Sequence, residues 1–208
     1  RARQADHASA SQARVEAEGV ELSVPRGDDV IAEPLSRVRM RVSPISQRPD
    51  APLTFICWKW NQPGYRIAYT AEHVNVWCAM IRRCYRQEHR VICVTDDPTG
   101  IKCETFPLWG DHAGLENPCG SHLPSCYRRL RIFSGETTRA MGIEDGAGVV
   151  SMDLDVVLVS NISPLFLRHQ EASFTGWKGV GWRNPTVYNG SLFRFYAGEM
   201  SFLWDEFD

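Results

Sequence analysis

Gly148-Val149-Val150-Ser151-Met152-Asp153-Leu154-Asp155-Val156-Val157-Leu158-Val159 contains two carboxylates, one residue apart, between two apolar runs. Runs this rich in valine are typical of a strand buried on both faces. Carboxylates there are costly unless a cation or a dense set of hydrogen bonds compensates their charge. Residues i and i+2 of an extended chain point to the same side. The pattern therefore predicts that Asp153 and Asp155 bind Mn²⁺ or Mg²⁺, which favour oxygen ligands. The alternative is that they only start a turn.

The composition is that of a globular domain of ordinary size. The 208 residues are 43% hydrophobic and 23% charged, which is enough for one α/β domain with a real core. The net charge of -2 gives no reason to expect nucleic acid or an anionic membrane as a partner. No apolar run reaches the ~20 residues of a membrane span. There is no signal-peptide pattern, and the seven cysteines form no C-x-x-C pair, so we expect reduced structural thiols and a cytoplasmic location.

Residues 1–50 differ in composition from the rest of the chain. The first part is rich in Ala, Ser, Gln, Arg and Glu, prolines follow, and apolar residues are isolated. Such a segment cannot bury enough surface to offset its ordering entropy. We expect residues 1–50 to be an extension or linker, poorly ordered or draped on the domain, and residues 51–208 to form a single domain.

From Leu53 onward the apolar pattern predicts a strand, a helix and a second strand. Residues 53–58 and 90–95 are the strands, and Thr70 is the expected N-cap of a helix with an apolar face of Val74, Trp77, Cys78, Ile81 and Tyr85. This βαβ unit implies a parallel sheet, whose ligands bind beyond the carboxyl ends of the strands. The loops after Trp58 and at Asp96-Asp97 should lie at that edge. Asp97 either accepts a hydrogen bond from a base or ribose, or simply helps to start a turn.

Further elements follow in the same way. We expect a short strand within residues 101–108, a helix over 126–133, strands over 172–177 and 187–195, and a helix start near the C-terminal end of the sequence. The helix at 126–133 carries Arg128, Arg129 and Arg131. Three arginines near the ligand edge suit a phosphate, and the alternative is a solvated basic face.

The D-x-D motif and Val159-Ser160-Asn161-Ile162-Ser163-Pro164-Leu165-Phe166 after it resemble retaining glycosyltransferases of the glycogenin and galactosyltransferase type (glycosyltransferase family 8-like). Arg128-Arg129-Leu130 stands where that family has a Lys-Leu or Arg-Leu element that touches the donor. Residues 174–176 and 188–193 resemble its acceptor-side strand and its Phe-Asn-Ser-Gly-Val segment. The resemblance covers roughly residues 53–195. The family's late histidine, which completes its metal site, has no counterpart before Asp208, so we expect a domain truncated at its C-terminus.

This resemblance implies a GT-A fold, that is, a Rossmann-like, mostly parallel sheet flanked by helices in a single domain over residues 51–208. It implies a metal-dependent glycosyltransferase of the hexosyltransferase type. Such an enzyme moves a sugar, with retention, from a nucleotide-sugar donor, often UDP-linked, to an acceptor such as a glycan, a protein or a small molecule.

The resemblance also implies roles for individual residues. Asp155 would ligate Mn²⁺ or Mg²⁺, and Asp153 would contact the metal or the donor ribose. Arg129, with Arg128 beside it, would pair with the donor's phosphates or sugar. Asn189 would hydrogen-bond the transferred sugar.

The base and ribose of the donor would lie against the first two strand ends. Trp58, Trp60 and Asp97 would hold them there, with one of the two indoles available for stacking.

Two other functions fit parts of the sequence. Residues 153–158 match a loose D-x-D-x-[TV]-L motif of haloacid-dehalogenase-type phosphatases, with Asp153 as nucleophile and Asp155 as acid/base. A non-catalytic nucleotide-sugar or carbohydrate-binding domain would instead use the tryptophans for sugar stacking: Trp58, Trp60, Trp109, Trp177 and Trp182.

Overall fold

A computed structural model describes residues 48–49, 51–61, 68–116, 126–178 and 188–207 of the chain. The predicted N-terminal extension falls almost entirely outside the described residues, and so does Trp182. The domain boundary expected near residue 50 therefore stays a prediction.

The described residues form a six-stranded sheet in the order β3-β2-β1-β4-β6-β5. The strands are β1 Leu53–Lys59, β2 His89–Thr95, β3 Glu104–Pro107, β4 Gly148–Met152, β5 Phe174–Lys178 and β6 Tyr188–Tyr196. The first four strands pair in parallel, whereas β6 is antiparallel to both of its neighbours. The helices are α1 Ala71–Cys84, a 3₁₀ helix Tyr127–Phe133, α2 Gly135–Ala140, α3 Ser163–Leu167 and α4 Phe202–Asp205. This mostly parallel sheet flanked by helices confirms the predicted α/β fold class.

Helices cover both faces of the central strands. Phe55 and Cys57 of β1 face one core with the buried side of α1, where Val74, Trp77, Cys78 and Ile81 recur at helical spacing. Ile56 and Trp58 face the other core, which contains Ile132 and Phe133 of the 3₁₀ helix. Because both faces are covered, the middle of each of β1, β2 and β4 is mainly apolar.

Helix α1 begins where the sequence predicted it. Thr70 is its N-cap, in extended conformation, and the Thr70 backbone N–H donates to His73 Nδ1 at 3.0 Å. This contact satisfies a donor that the first helical turn leaves without a carbonyl partner.

The apolar run after the D-x-D motif does not continue the strand, contrary to the prediction. β4 ends at Met152, and the backbone N–H of Val156 donates to the carbonyl oxygen of Asp153 at 3.3 Å, which closes a turn. Val157 and Val159 are 75% and 90% exposed. The ladders of β4 with β1 and β6 end at Ser151 and Met152, and within the described residues neither ladder continues beyond them. Asp153 and Asp155 therefore do not share an extended strand, and the i, i+2 argument for their convergence fails.

The other predicted elements occur near their expected positions and differ in type or length. The helix expected over residues 126–133 is a 3₁₀ helix. Helix α2 was not predicted, because its six residues contain no apolar stripe; its signal is the N-cap Ser134, whose Oγ accepts from the Thr137 N–H at 3.5 Å. Among the described residues, no helix is long and apolar enough to cross a membrane.

Candidate functional site

Parallel pairing brings the predicted site segments to one edge of the sheet. The carboxyl ends of β1, β2 and β4 lie together, and β6 begins at the same edge because it runs antiparallel to β4. Trp60, Asp97, Asp153 and Asn189 belong to these strand ends, and Asp155 follows in the turn after β4. The sequence therefore predicted correctly which chain segments meet at this edge.

Arg129 reaches this edge from the 3₁₀ helix. Its Nη1 donates to Asp153 Oδ1, and its Cζ lies 5.7 Å from the ring centroid of Trp58 and 5.5 Å from that of Trp60. The side chains of Arg129 and Asp153 are 21% and 24% exposed. Arg129 Nε is buried and has no hydrogen-bond partner within the described part of the chain. Since buried donors are nearly always paired, this nitrogen is a candidate contact for an anionic ligand.

The backbone of Asp153 is held from two sides. Its N–H donates to the carbonyl oxygen of Ser191 in β6 at 2.8 Å, and its carbonyl oxygen accepts from Trp77 Nε1 in α1 at 3.2 Å. The exposed Asn189 accepts the Ser191 N–H on its Oδ1 at 2.9 Å. Ser191 thus joins the strand positions of Asn189 and Asp153.

Trp58, in β1, and Trp60, just after it, occupy different environments. Trp58 is 3% exposed, its Nε1 donates to Ser151 Oγ at 2.9 Å, and its ring packs edge-on against Trp109. Trp60 is only partly buried. Of these two indoles, Trp60 is the one with surface available for stacking on a ligand.

Arg128 contacts the segment after β3 and not the D-x-D motif. Its Nε donates to the carbonyl oxygen of Trp109 at 3.0 Å, and Trp109 Nε1 donates back to the carbonyl oxygen of Arg128. This reciprocal pair fixes the 3₁₀ helix to the segment after β3. The predicted contact of Arg128 with a donor would have to break these bonds.

Lys59, whose role was not predicted from the sequence, connects the carboxyl ends of β1 and β2. It is 8% exposed, and its Nζ donates to the carbonyl oxygen of Asp97 at 3.0 Å and to Thr95 Oγ1 at 3.4 Å. Its Nζ also lies 4.0 Å from Asp96 Oδ1, and Asp96 Oδ2 accepts the Asn61 N–H at 2.9 Å. The sequence feature that could have indicated this role is a lysine at the end of a mainly apolar strand.

The carboxylate of Asp97 is exposed and takes part in a turn. Its Oδ1 accepts the backbone N–H of Thr99 at 3.0 Å. This hydrogen bond, with a smaller contribution from the charge of Lys59, lowers the pKa of Asp97 below its ordinary value. Asp97 therefore takes part in a turn, while its contact with a base or ribose stays a prediction. The second carboxylate oxygen of Asp97 takes no part in the bond to Thr99.

Asp153 and Asp155 are the residues that could hold a divalent cation. Asp155 is exposed at the turn, whereas Asp153 is half-buried against Arg129. Among the described residues there is no cluster of three or more His, Cys, Asp or Glu side chains arranged around a metal. Mg²⁺ commonly binds through one or two carboxylates plus substrate phosphates. With only these two carboxylates, such a site would leave the remaining oxygens to a bound anion.

Comparison with known proteins finds a distant structural similarity. No protein-family model matches the chain, and no curated protein matches it either. Among solved structures it is similar to the galactosyltransferase LgtC in complex with donor and acceptor sugar analogs. The TM-score is 0.47 and the sequence identity 13%, over 74% of this chain and 60% of that chain. The chain thus spans three fifths of the length of that galactosyltransferase.

Proposed function

We propose that the protein is a glycosyltransferase of the hexosyltransferase type. It takes a nucleotide-sugar donor, a UDP-sugar, together with Mn²⁺ or Mg²⁺ at Asp153 and Asp155, and transfers the sugar to an acceptor with retention. The observation that supports this most strongly is Arg129. It places a guanidinium with an unused buried Nε beside the D-x-D motif, between two tryptophans, at the ligand edge of the sheet.

The charges at this edge suit a diphosphate leaving group. Negative charge grows on the diphosphate as the glycosidic bond breaks, and cationic groups placed there in advance stabilise it. A divalent ion bound to Asp153 and Asp155 would supply Lewis-acid stabilisation of the same oxygens. Arg129 adds a fixed positive charge and a free Nε donor. Its contact with Asp153 orients both side chains before the donor arrives.

The other residues position the donor. Trp60 offers a partly exposed ring for stacking on the base, and the free oxygen of Asp97 accepts from the base or the ribose. Asn189, at the start of β6, retains its side-chain NH₂ as a donor to the transferred sugar, since its Oδ1 accepts from Ser191.

Calorimetry with UDP tests the donor site. We expect UDP to bind in the presence of Mn²⁺ and to bind at least about tenfold more weakly without it, a difference of roughly 1.4 kcal/mol. Asp155→Asn should weaken Mn²⁺-dependent binding to a similar degree. Glu88→Gln is the matched control, because Glu88 is an exposed carboxylate just before β2, at the opposite edge of the sheet. Equal losses of UDP affinity in both variants, or UDP binding of the same strength with and without Mn²⁺, would contradict the proposed site.

Turnover separates the proposal from its alternatives. A transferase should release UDP from a UDP-sugar when a suitable acceptor is present, and also slowly by transfer to water. Mn²⁺-dependent UDP binding with no release from any UDP-sugar would identify a non-catalytic binding domain. Hydrolysis of p-nitrophenyl phosphate that is lost in Asp153→Asn would identify a phosphatase instead.

A further inference from the structure

Two thiols meet between α1 and the segment that leads into β3. Cys78 lies on the buried face of α1 and is 2% exposed, and Cys103 is partly buried against the same core. Cys78 is part of this core and Cys103 packs against it, so the two thiols are neighbours there. Neither residue belongs to the proposed donor site.

Asn75 holds the two backbones in this arrangement. Its Nδ2 donates to the carbonyl oxygen of Gly100 at 2.9 Å, and its Oδ1 accepts the N–H of Lys102 at 2.8 Å. Asn75 lies one helical turn before Cys78 on α1, and Lys102 immediately precedes Cys103. This two-point attachment keeps the Cys103 backbone beside the helix turn that carries Cys78.

The environment makes the two thiols chemically unequal. The neighbouring Cys78 thiol lowers the pKa of Cys103, and the positive charge of Arg82 acts in the same direction. The same contact, together with burial, raises the pKa of Cys78. Cys103 is also the more accessible of the two. An oxidant should therefore react first with Cys103, because the thiolate is the nucleophile and access limits the reaction.

We propose that Cys78 and Cys103 are a redox modification site that closes to a reversible disulfide when the protein meets a peroxide. The Cys103 thiolate attacks one peroxide oxygen, the O–O bond breaks, and a sulfenic acid and hydroxide form. The Cys78 sulfur then attacks the Cys103 sulfur, the S–O bond breaks, and water leaves with the Cys78 proton. Two thiols are oxidised, and one peroxide is reduced to two waters.

Other thiols in the described part of the chain provide internal references. Cys57 and Cys93 face each other in register on β1 and β2, and both are fully buried. If oxidation takes place in the folded protein, these two thiols stay reduced. Their oxidation would show that the protein had unfolded before it reacted.

Peptide mapping after treatment with hydrogen peroxide tests the proposal. Cleavage after Lys and Arg gives peptides 67–82 and 103–128, and the second also contains Cys119 and Cys126. The experiment therefore uses the full chain with Cys119→Ser and Cys126→Ser. We expect peptides 67–82 and 103–128 joined through Cys78 and Cys103, separated again by dithiothreitol, with Cys57 and Cys93 still reduced. In the same background, Cys78→Ser should leave Cys103 as a sulfenic acid that dimedone traps.

Two results would overturn the proposal. One is a Cys103 sulfenic acid that persists and is trapped by dimedone while Cys78 is present. The other is a folded protein in which Cys103 stays reduced under peroxide. Circular dichroism of each variant shows that it is folded, and Cys103→Ser, which removes the same contact, is the matched control for Cys78→Ser.

Discussion

The indole N–H of Trp77 donates a hydrogen bond to the carbonyl oxygen of Asp153, with 3.2 Å between nitrogen and oxygen. Trp77 is 1% exposed and lies on the core face of α1, whereas Asp153 opens the turn after β4. A residue that the sequence identified only as part of an apolar face thus also holds the D-x-D turn. It links the packing of α1 to the geometry of the proposed metal site.

Trp77→Phe should cost stability and weaken donor binding together. We expect a loss of about 2 kcal/mol in the free energy of unfolding, from the smaller ring and the lost hydrogen bond. UDP binding with Mn²⁺ should weaken roughly threefold to tenfold, because the Asp153 backbone loses one of its supports. Urea unfolding and calorimetry measure the two effects. Ile81→Ala, a fully buried change on the same helix, should destabilise the protein without changing UDP affinity. Equal UDP affinity in wild type and Trp77→Phe would disprove the positioning role.

Lys59→Met should weaken the attachment of the Asp97 turn to β1, while the stability of the fold changes little. The methionine keeps the apolar stem, and removing the ammonium also removes the cost of burying a charge, so the net change in unfolding free energy should stay within about 1 kcal/mol. The Asp97 turn loses the contact at 3.0 Å. Affinity should therefore fall for UMP as well as UDP, because both carry the uridine that this turn would contact.

Lys102→Met is the matched control for this change, since it removes an equal charge at an exposed position before β3. Its affinity for both nucleotides should equal that of the wild type. A loss confined to UDP in Lys59→Met would mean that Lys59 acts on the diphosphate rather than through the turn.

Much of this fold could be predicted from the pattern of residues. The strand-helix-strand unit, the N-cap Thr70 and the strand that leads into the D-x-D motif all follow from apolar periodicity and capping chemistry. Periodicity failed at residues 156–159, because apolar character alone does not tell whether a neighbouring strand exists to pair with. Here both ladders end before Asp153.

The site was predictable as a set of segments and less so as a set of side chains. Strand alternation alone would have assigned Trp58 to a core face with Ile56, and this is where it lies. The different roles of Arg128 and Arg129 could not be predicted from the sequence. Neighbouring positions on a 3₁₀ helix point in different directions, and the carbonyl of Trp109 that accepts from Arg128 is distant in sequence.

Acid should destabilise the wild type more steeply than Asp97→Asn. The folded-state pKa of Asp97 is lowered, so its carboxylate contributes stability above its unfolded pKa and loses that contribution as pH falls through the folded value. An asparagine still accepts from the Thr99 N–H and does not titrate. Between about pH 4 and pH 2, the urea midpoint should therefore fall further in the wild type. Parallel curves for the two proteins would show that the Thr99 contact does not stabilise the charged form.

Arg129→Met and Arg128→Met form a matched pair of substitutions with opposite expected effects. Arg129 pairs with a partly exposed Asp153, and such pairs contribute about 0–1 kcal/mol to stability. Its loss should leave the urea midpoint nearly unchanged. It should weaken UDP binding with Mn²⁺ by about tenfold or more, since a charged hydrogen-bond donor to phosphate is removed.

Arg128 donates instead to the Trp109 carbonyl. Its loss should cost about 1–3 kcal/mol of unfolding free energy, because that oxygen loses its charged partner. It should change UDP affinity less than threefold. Reversed effects would mean that the donor's phosphates bind Arg128, and that the reciprocal contact with Trp109 opens when the nucleotide arrives.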